Sequence, residues 1–361
     1  MKQVKYFLLI LTALLAVTSC SDDDDAPFIP SPGIATGQED LVIVNQGNAY
    51  GGVAGTLDLY QGVDSVYTSG AFVAVNGQSL GDSPQGILAY GTHIFIPVHG
   101  ENLVWVIDRY SLRLRQAIRT NAPEGVCAAG GYVFVSNNDG YVSRIDTATL
   151  AVDHQVAVGP NPDDLCAVGD NVYVSISDGY NYGGGYANGY RVAVLSAATG
   201  EKTSEIRVGM NPGPIAADDL GNVFVVCRGD YGATPAKVQR IDGATRRVTD
   251  VAQGSLIATH GTTLYVADVV TDWGSYTTSV SYKSYSTVTG EMLSDDFLAG
   301  RDKAPYPVAL QTEPTTGTLY VCSDRSAADY DKDGLLYVYR MNGGHDLRLE
   351  TGIHPCGVVL R

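Results

Sequence analysis

The chain has 361 residues, 45% hydrophobic and only 17% charged, with 42 glycines and 23 tyrosines. Its formal charge is −16 and no basic stripe interrupts it, which sets nucleic acid aside as a partner because phosphate contacts need clustered Lys and Arg. No HxH, HExxH, CxxCH, Walker or dinucleotide-loop pattern occurs, so these motifs give catalysis no positive support.

Residues 1–19 carry Lys2 and Lys5, an apolar run from Phe7 to Val17, and small residues up to Ser19. The run is too short to span a bilayer comfortably and predicts an export signal, whose loss takes the charge from −16 to −18. Val17-Thr18-Ser19-Cys20 resembles a bacterial lipobox, which makes Cys20 the lipidated first residue of the mature protein. Three acyl chains, at about 0.8 kcal/mol per buried methylene, form an effectively permanent anchor. An ordinary cleaved signal is the alternative. Ser21 and the run Asp22 to Asp25 resemble the surface-export signal of Bacteroidetes lipoproteins, which points to the outer face of the outer membrane; a plain solvated spacer on a periplasmic anchor stays open. Residues 20–37, with three prolines after the acidic run, read as a tether, and residues 38–361 as the folded unit.

Within that unit Ala122 to Gly159 sets the pattern. A proline turn and a short apolar run lead through Gly130-Gly131 into Tyr132 to Val135. A polar tip at Asn137 to Gly140, a return through Tyr141 to Asp146, and a run from Val152 to Val158 complete it. This predicts four short strands with turn chemistry between them, and one such sheet cannot bury a face alone. The pattern recurs over Ser83–Thr120, Asn161–Gly209, Asn211–Gly254, Ser255–Gly300 (without the proline) and Tyr306–Gly352. A period of roughly 40 to 50 residues suits radial β-repeats. At the N-terminus Leu41–Val44, Thr56–Tyr60 and Ala71–Val75 predict three strands without a first one. Ile353 to Leu360 predicts a first strand without the other three. The expected fold is therefore an all-β, seven-bladed β-propeller closed by the C-terminal strand joining the N-terminal blade. An open array or an eighth blade is the alternative.

In every unit the link from second to third strand is the variable one: residues 46–55, 99–102, 137–140, 177–189, 228–236, 268–279 and 323–334. These links share a face with the inter-blade turns. Tyr50, Tyr180, Tyr182, Tyr186, Tyr231, Trp273, Tyr276 and Tyr330 should therefore gather on one rim, with the composition of adaptable binding loops. Links on the other face, such as Gly130-Gly131 and Gly261-Thr262, are short and plain. Common β-loop chemistry without meaning is the bland alternative.

Asp329, Asp331 and Asp333 with Gly334 match the opening of a calcium loop, but the ninth and twelfth positions fall on Tyr337 and Arg340. The loop is a weak Ca2+ candidate or a plain acidic turn, and no cofactor is required. Cys127, Cys166, Cys227, Cys322 and Cys356 lack metal spacing and read as small buried hydrophobes, not disulfides. His99 and His354 could approach the channel mouth.

Leu41-Val42-Ile43-Val44-Asn45-Gln46-Gly47-Asn48, Asn76-Gly77-Gln78-Ser79-Leu80-Gly81-Asp82 and the closing Gly352-Ile353-His354-Pro355 resemble the YncE-like, DUF5074-type surface lipoproteins of Bacteroidetes, a group that includes the BtuG cobalamin-capturing propellers. The resemblance implies a non-enzymatic protein. It would capture cobalamin or a related corrinoid and pass it to a TonB-dependent outer-membrane transporter. The expected ligand contacts are Asn48, Tyr50, His99, Asn137, Asp178, Tyr180, Tyr182, Arg228, Tyr231, Trp273, Asp324 and Tyr330, with Asn, Asp and Arg meeting the ligand's amides. A glycan- or protein-binding adhesion module and an uncharacterised propeller hydrolase or lyase remain the alternatives.

Overall fold

Seven four-stranded antiparallel sheets make up residues 38–361, the part of the chain that the computed structural model describes. The expected signal peptide, Cys20 and the tether lie outside the described residues. The third blade shows the repeat, with Pro123–Ala129 innermost, then Tyr132–Asn137, Tyr141–Asp146 and Ala151–Ala157 outermost. The inner strands of the other blades are Leu88–Tyr90, Pro162–Val168, Pro212–Ala217, Leu256–His260, Tyr306–Thr312 and Pro355–Leu360.

The last of these closes the ring. Pro355–Leu360 pairs with Leu41–Asn45, setting Leu41 opposite Leu360 and Val42 opposite Val359, so a fourth strand completes the first blade. A buried ion pair reinforces the joint, Arg340 Nη2 donating to Glu39 Oε2 at 2.9 Å. Asp40 Oδ2 takes Arg361 at 3.1 Å.

The second strands are continuous apolar runs because both of their faces are covered. On Tyr132–Asn137, Val133 and Val135 enter the apolar layer shared with the preceding blade, while Phe134 enters the layer shared with the next. One such layer lies at each blade junction, including the closing one formed by Leu41, Ile43, Tyr320, Leu336 and Val358. Each fully buried Val, Ile or Leu contributes roughly 1.5–3 kcal/mol, so the layers hold the blades at their angles.

Two expectations are corrected. Ala71–Val75 is not a strand. The outer strand of the first blade is Val66–Thr68, and Ala71–Asn76 is a short helix. The cause is the enclosed Asp58, whose carboxylate accepts from Tyr67 Oη at 2.7 Å and from the Gly70 amide at 2.8 Å. Gly70 turns with φ 66°, and the helix then buries Phe72 against Trp105 of the second blade, ring centroids 5.6 Å apart. Residues 268–279 are also not a loose link: Thr263–Asp272 and Thr277–Ser286 form a long hairpin with only Trp273 to Tyr276 at its tip.

Candidate functional site

The inter-blade turns and the second-to-third links share one face because backbone bonds tie them together. Ser83, Ala122, Asn161, Asn211 and His354, each just before a blade proline, adopt φ between 46° and 56°. Their carbonyls accept from the first amide of a link, respectively His99, Asn138, Ser177, Arg228 and Gln46, at 2.8–3.1 Å. Left-handed backbone is unusual outside glycine, and its repetition at five junctions fixes where the links start.

Inside this ring of turns the inner strands enclose a cavity of about 570 Å3. Its polar lining includes Gln46, Gln85, Glu124, Asp163, Arg228 and His354. Neighbouring blades are clipped together here. Gln46 Nε2 donates to Gln85 Oε1 at 3.0 Å, and His99 Nδ1 lies 2.7 Å from Glu124 Oε1. Arg228 reaches back one blade to grip Asp163 through both terminal nitrogens, at 2.6 and 3.2 Å. It crosses at Gly213, where a Cβ would stand 2.1 Å from the guanidinium carbon.

The charges in this cup are crowded. Burial pushes Asp164 up to about 6, with Asp163 adding to it, although the Leu165 and Ile215 amides both donate to its carboxylate. Burial likewise raises Glu124. The hydrogen bond that His99 donates to Glu124 raises the imidazole against the opposing effect of burial. For Arg228 burial is the largest influence and works against the charge, yet Asp163 outweighs it and the guanidinium stays charged.

Above the cup stand the aromatic tips. Tyr50, Tyr180, Tyr182, Tyr231, Trp273, Tyr276 and Tyr330 are between 56% and 102% exposed. Trp273 and Tyr276 meet edge to face at 6.3 Å. The fourth-blade link leans on its neighbours: Asn138 of the third blade donates to Tyr180 Oη at 3.1 Å and also to Glu124. A chain of hydrogen bonds thus runs from His99 through Glu124 and Asn138 to Tyr180. Burial, then Glu124 and Tyr50, raises the Tyr180 phenol, so the tips of the first and fourth blades lie within electrostatic reach of each other.

The structure separates the expected contacts into three groups. Tyr50, Tyr180, Tyr182, Tyr231, Trp273 and Tyr330 are exposed tips, Arg228 lines the cup, and His99 is bonded to Glu124 of the cup wall. Asn48, Asn137 and Asp178 are enclosed and serve the links themselves, while the enclosed Asp324 holds His354 of the closing turn. Asn48 accepts from the Gly51 amide, and Asn137 donates to Ser143 Oγ at 2.9 Å and accepts from Thr120. Asp178 takes Asn181 Nδ2 and the Asn188 amide, both at 2.9 Å. Tyr186 is also enclosed, folded beneath its own link. Asp329 accepts from Ser326, Asp331 pairs with Lys332, and Asp333 begins a strand. Among the described residues no three His, Cys, Asp or Glu side chains are grouped to hold a metal ion. The five cysteines are free, and burial raises every thiol.

Gln85, Glu124, Asp163 and His354 were not among the expected contacts. Their signal is a polar residue next to the blade proline, in PQG, PEG, PDD and HPC, at the start of an otherwise apolar strand.

No family model matches the chain, and no curated relative matches it. Solved structures share the fold. A quinonprotein alcohol dehydrogenase-like protein from Bacteroides thetaiotaomicron aligns with a TM-score of 0.62 at 13% identity, covering 90% of this chain and 78% of that one. Hydrazine synthase from Kuenenia stuttgartiensis aligns at 0.61 and 16%, covering 76% and 88%. A protein assigned as a 6-phosphogluconolactonase from Bacteroides uniformis aligns at 0.61 and 10%, covering 90% and 100%. At such identities the likeness concerns the fold alone: this chain is a seven-bladed β-propeller with structural neighbours among Bacteroides propellers.

Proposed function

We propose that this propeller is a surface lipoprotein that captures cobalamin or a related corrinoid and passes it to a TonB-dependent outer-membrane transporter. The observation that carries the binding part is the pairing of an exposed aromatic rim with a polar cup on one face. Flat aromatic faces cover a broad, partly apolar ligand, each well-placed ring contributing roughly 0.5–1.5 kcal/mol beyond its burial. The corrinoid, the lipid anchor at Cys20 and the transporter come from the family resemblance in the opening, closing and lipobox motifs. Purified protein mixed with cyanocobalamin and passed through a size-selective filter should leave a pink retentate. A colourless retentate removes this reading.

A second reading has its own observation. An imidazole held by a carboxylate, as His99 is by Glu124, is also an arrangement for proton transfer in a hydrolase or lyase. Under that reading His99→Gln abolishes turnover of a substrate that the variant still binds. Loss of affinity alone favours capture.

A further inference from the structure

We propose that His354 is a metal donor. Through Nε2 it would occupy the open axial position of a planar metal chelate seated over the central cup. The inference rests on the capture reading for where the ligand sits and adds which atom grips its metal.

His354 lies on the wall of the cup, and its left-handed backbone places it at the junction where the ring closes. Its Nδ1 is 2.8 Å from Oδ2 of Asp324, a side chain only 4% exposed. A carboxylate can only accept, so Nδ1 carries the proton and Nε2 keeps its lone pair on the ring edge away from Asp324. The side chain is 32% exposed and lines the cavity, so a ligand seated there can reach the ring. Metal-binding histidines characteristically donate their other N–H to a carboxylate, which fixes the ring and raises its basicity. Asp324 has a further mark of a site under tension, since its buried Oδ1 has no hydrogen-bond partner.

The surroundings decide what kind of metal. No group of three protein donors exists among the described residues, so a bare ion would find too few ligands. A metal already held in its equatorial plane needs only one more. The rim supplies the complementary surface, because exposed tyrosine and tryptophan faces suit the periphery of a flat macrocycle. The chemistry named is therefore a tetrapyrrole with an imidazole-accepting metal, of which corrinoids and haem are the two sources.

Cob(II)inamide separates the possibilities because it lacks a nucleotide base. Any nitrogen bound to its cobalt must come from the protein. Electron paramagnetic resonance of the complex should show a three-line splitting from one 14N donor, collapsing to two lines with 15N-histidine-labelled protein. His354→Asn should remove the splitting and weaken binding about 10- to 100-fold. Asparagine tolerates the left-handed backbone and occupies the equivalent junctions at Asn161 and Asn211, so the variant should fold. A thermal melt matching the wild type checks this. Asp324→Asn should bind with a weakened affinity between the two. Bound cobinamide with no nitrogen splitting overturns the inference while leaving capture intact, as does splitting that survives in His354→Asn. If corrinoids are not retained but hemin is, with a Soret shift lost in His354→Asn, the inference stands and the corrinoid reading falls. If neither is retained, both fall.

Discussion

The second-to-third links have roots and tips, and the two behave as different materials. At the roots, polar side chains are enclosed and spent on the fold. Asn45 donates to Asp58 at 2.7 Å, Asn137 to Ser143 at 2.9 Å, and Cys227 to Gln239 at 3.5 Å, from matching positions in the first, third and fifth blades. At the tips, aromatic rings stand in solvent with few partners. A repeat keeps its roots because strand pairing demands them, while the tips are free to vary toward a ligand. A polar residue in a link therefore says little about recognition until its depth is known.

The largest way to test that division is at a root. Asn137→Ala removes its bonds to the buried Thr120 and Ser143 hydroxyls, which keep only each other and Gln155, so we expect a loss of about 1–2 kcal/mol in chemical denaturation, with ligand affinity of the folded fraction unchanged. An undiminished midpoint would mean that Asn137 is not structural.

A second effect concerns the cup. Asp164 titrates near 6 in the folded chain and near 3.8 when unfolded. Between those values the folded state holds a proton that the unfolded state has released. Stability therefore falls as pH rises from about 4 to 7, by on the order of 1–3 kcal/mol. Asp164→Asn cannot titrate, and its denaturation midpoint should lose that part of the slope. Parallel slopes in both proteins would refute the assignment.

The smallest stability change belongs to the tips. Tyr182→Ala should alter the melting free energy by less than about 0.5 kcal/mol. It should lower affinity for the captured ligand roughly 3- to 10-fold by equilibrium titration. A variant that unfolds early, or binds as tightly as the parent, would erase the distinction between root and tip.

Much of the frame was legible because it repeats. The blade prolines, the apolar second strands and the split first blade are local patterns, and the register of Leu41 with Leu360 follows once the ends are seen to complement each other. The outer strand of the first blade was misread because Val73 and Val75 alternate like strand residues. What decides the matter is Asp58, well upstream in the neighbouring strand, acting through Tyr67 and Gly70. The hairpin over 268–279 was hidden by polar residues such as Thr271 and Thr278, which pair across it. At the site, glycine-rich surroundings exposed the aromatic tips to a sequence reading. The cup stayed hidden because Gln85, Glu124 and Asp163 sit one per blade, and only ring closure makes them neighbours.

The splicing of the two chain ends also fixes the face on which the chain enters the disc. Leu41 sits beside Leu360 at the far end of the innermost strand, whereas Asn45 and Pro355 mark the end next to the tyrosines. Gln38 therefore enters on the back of the disc. A holder gripping the chain upstream of Gln38 would approach the face opposite the aromatic tips, leaving those tips and the cup unobstructed.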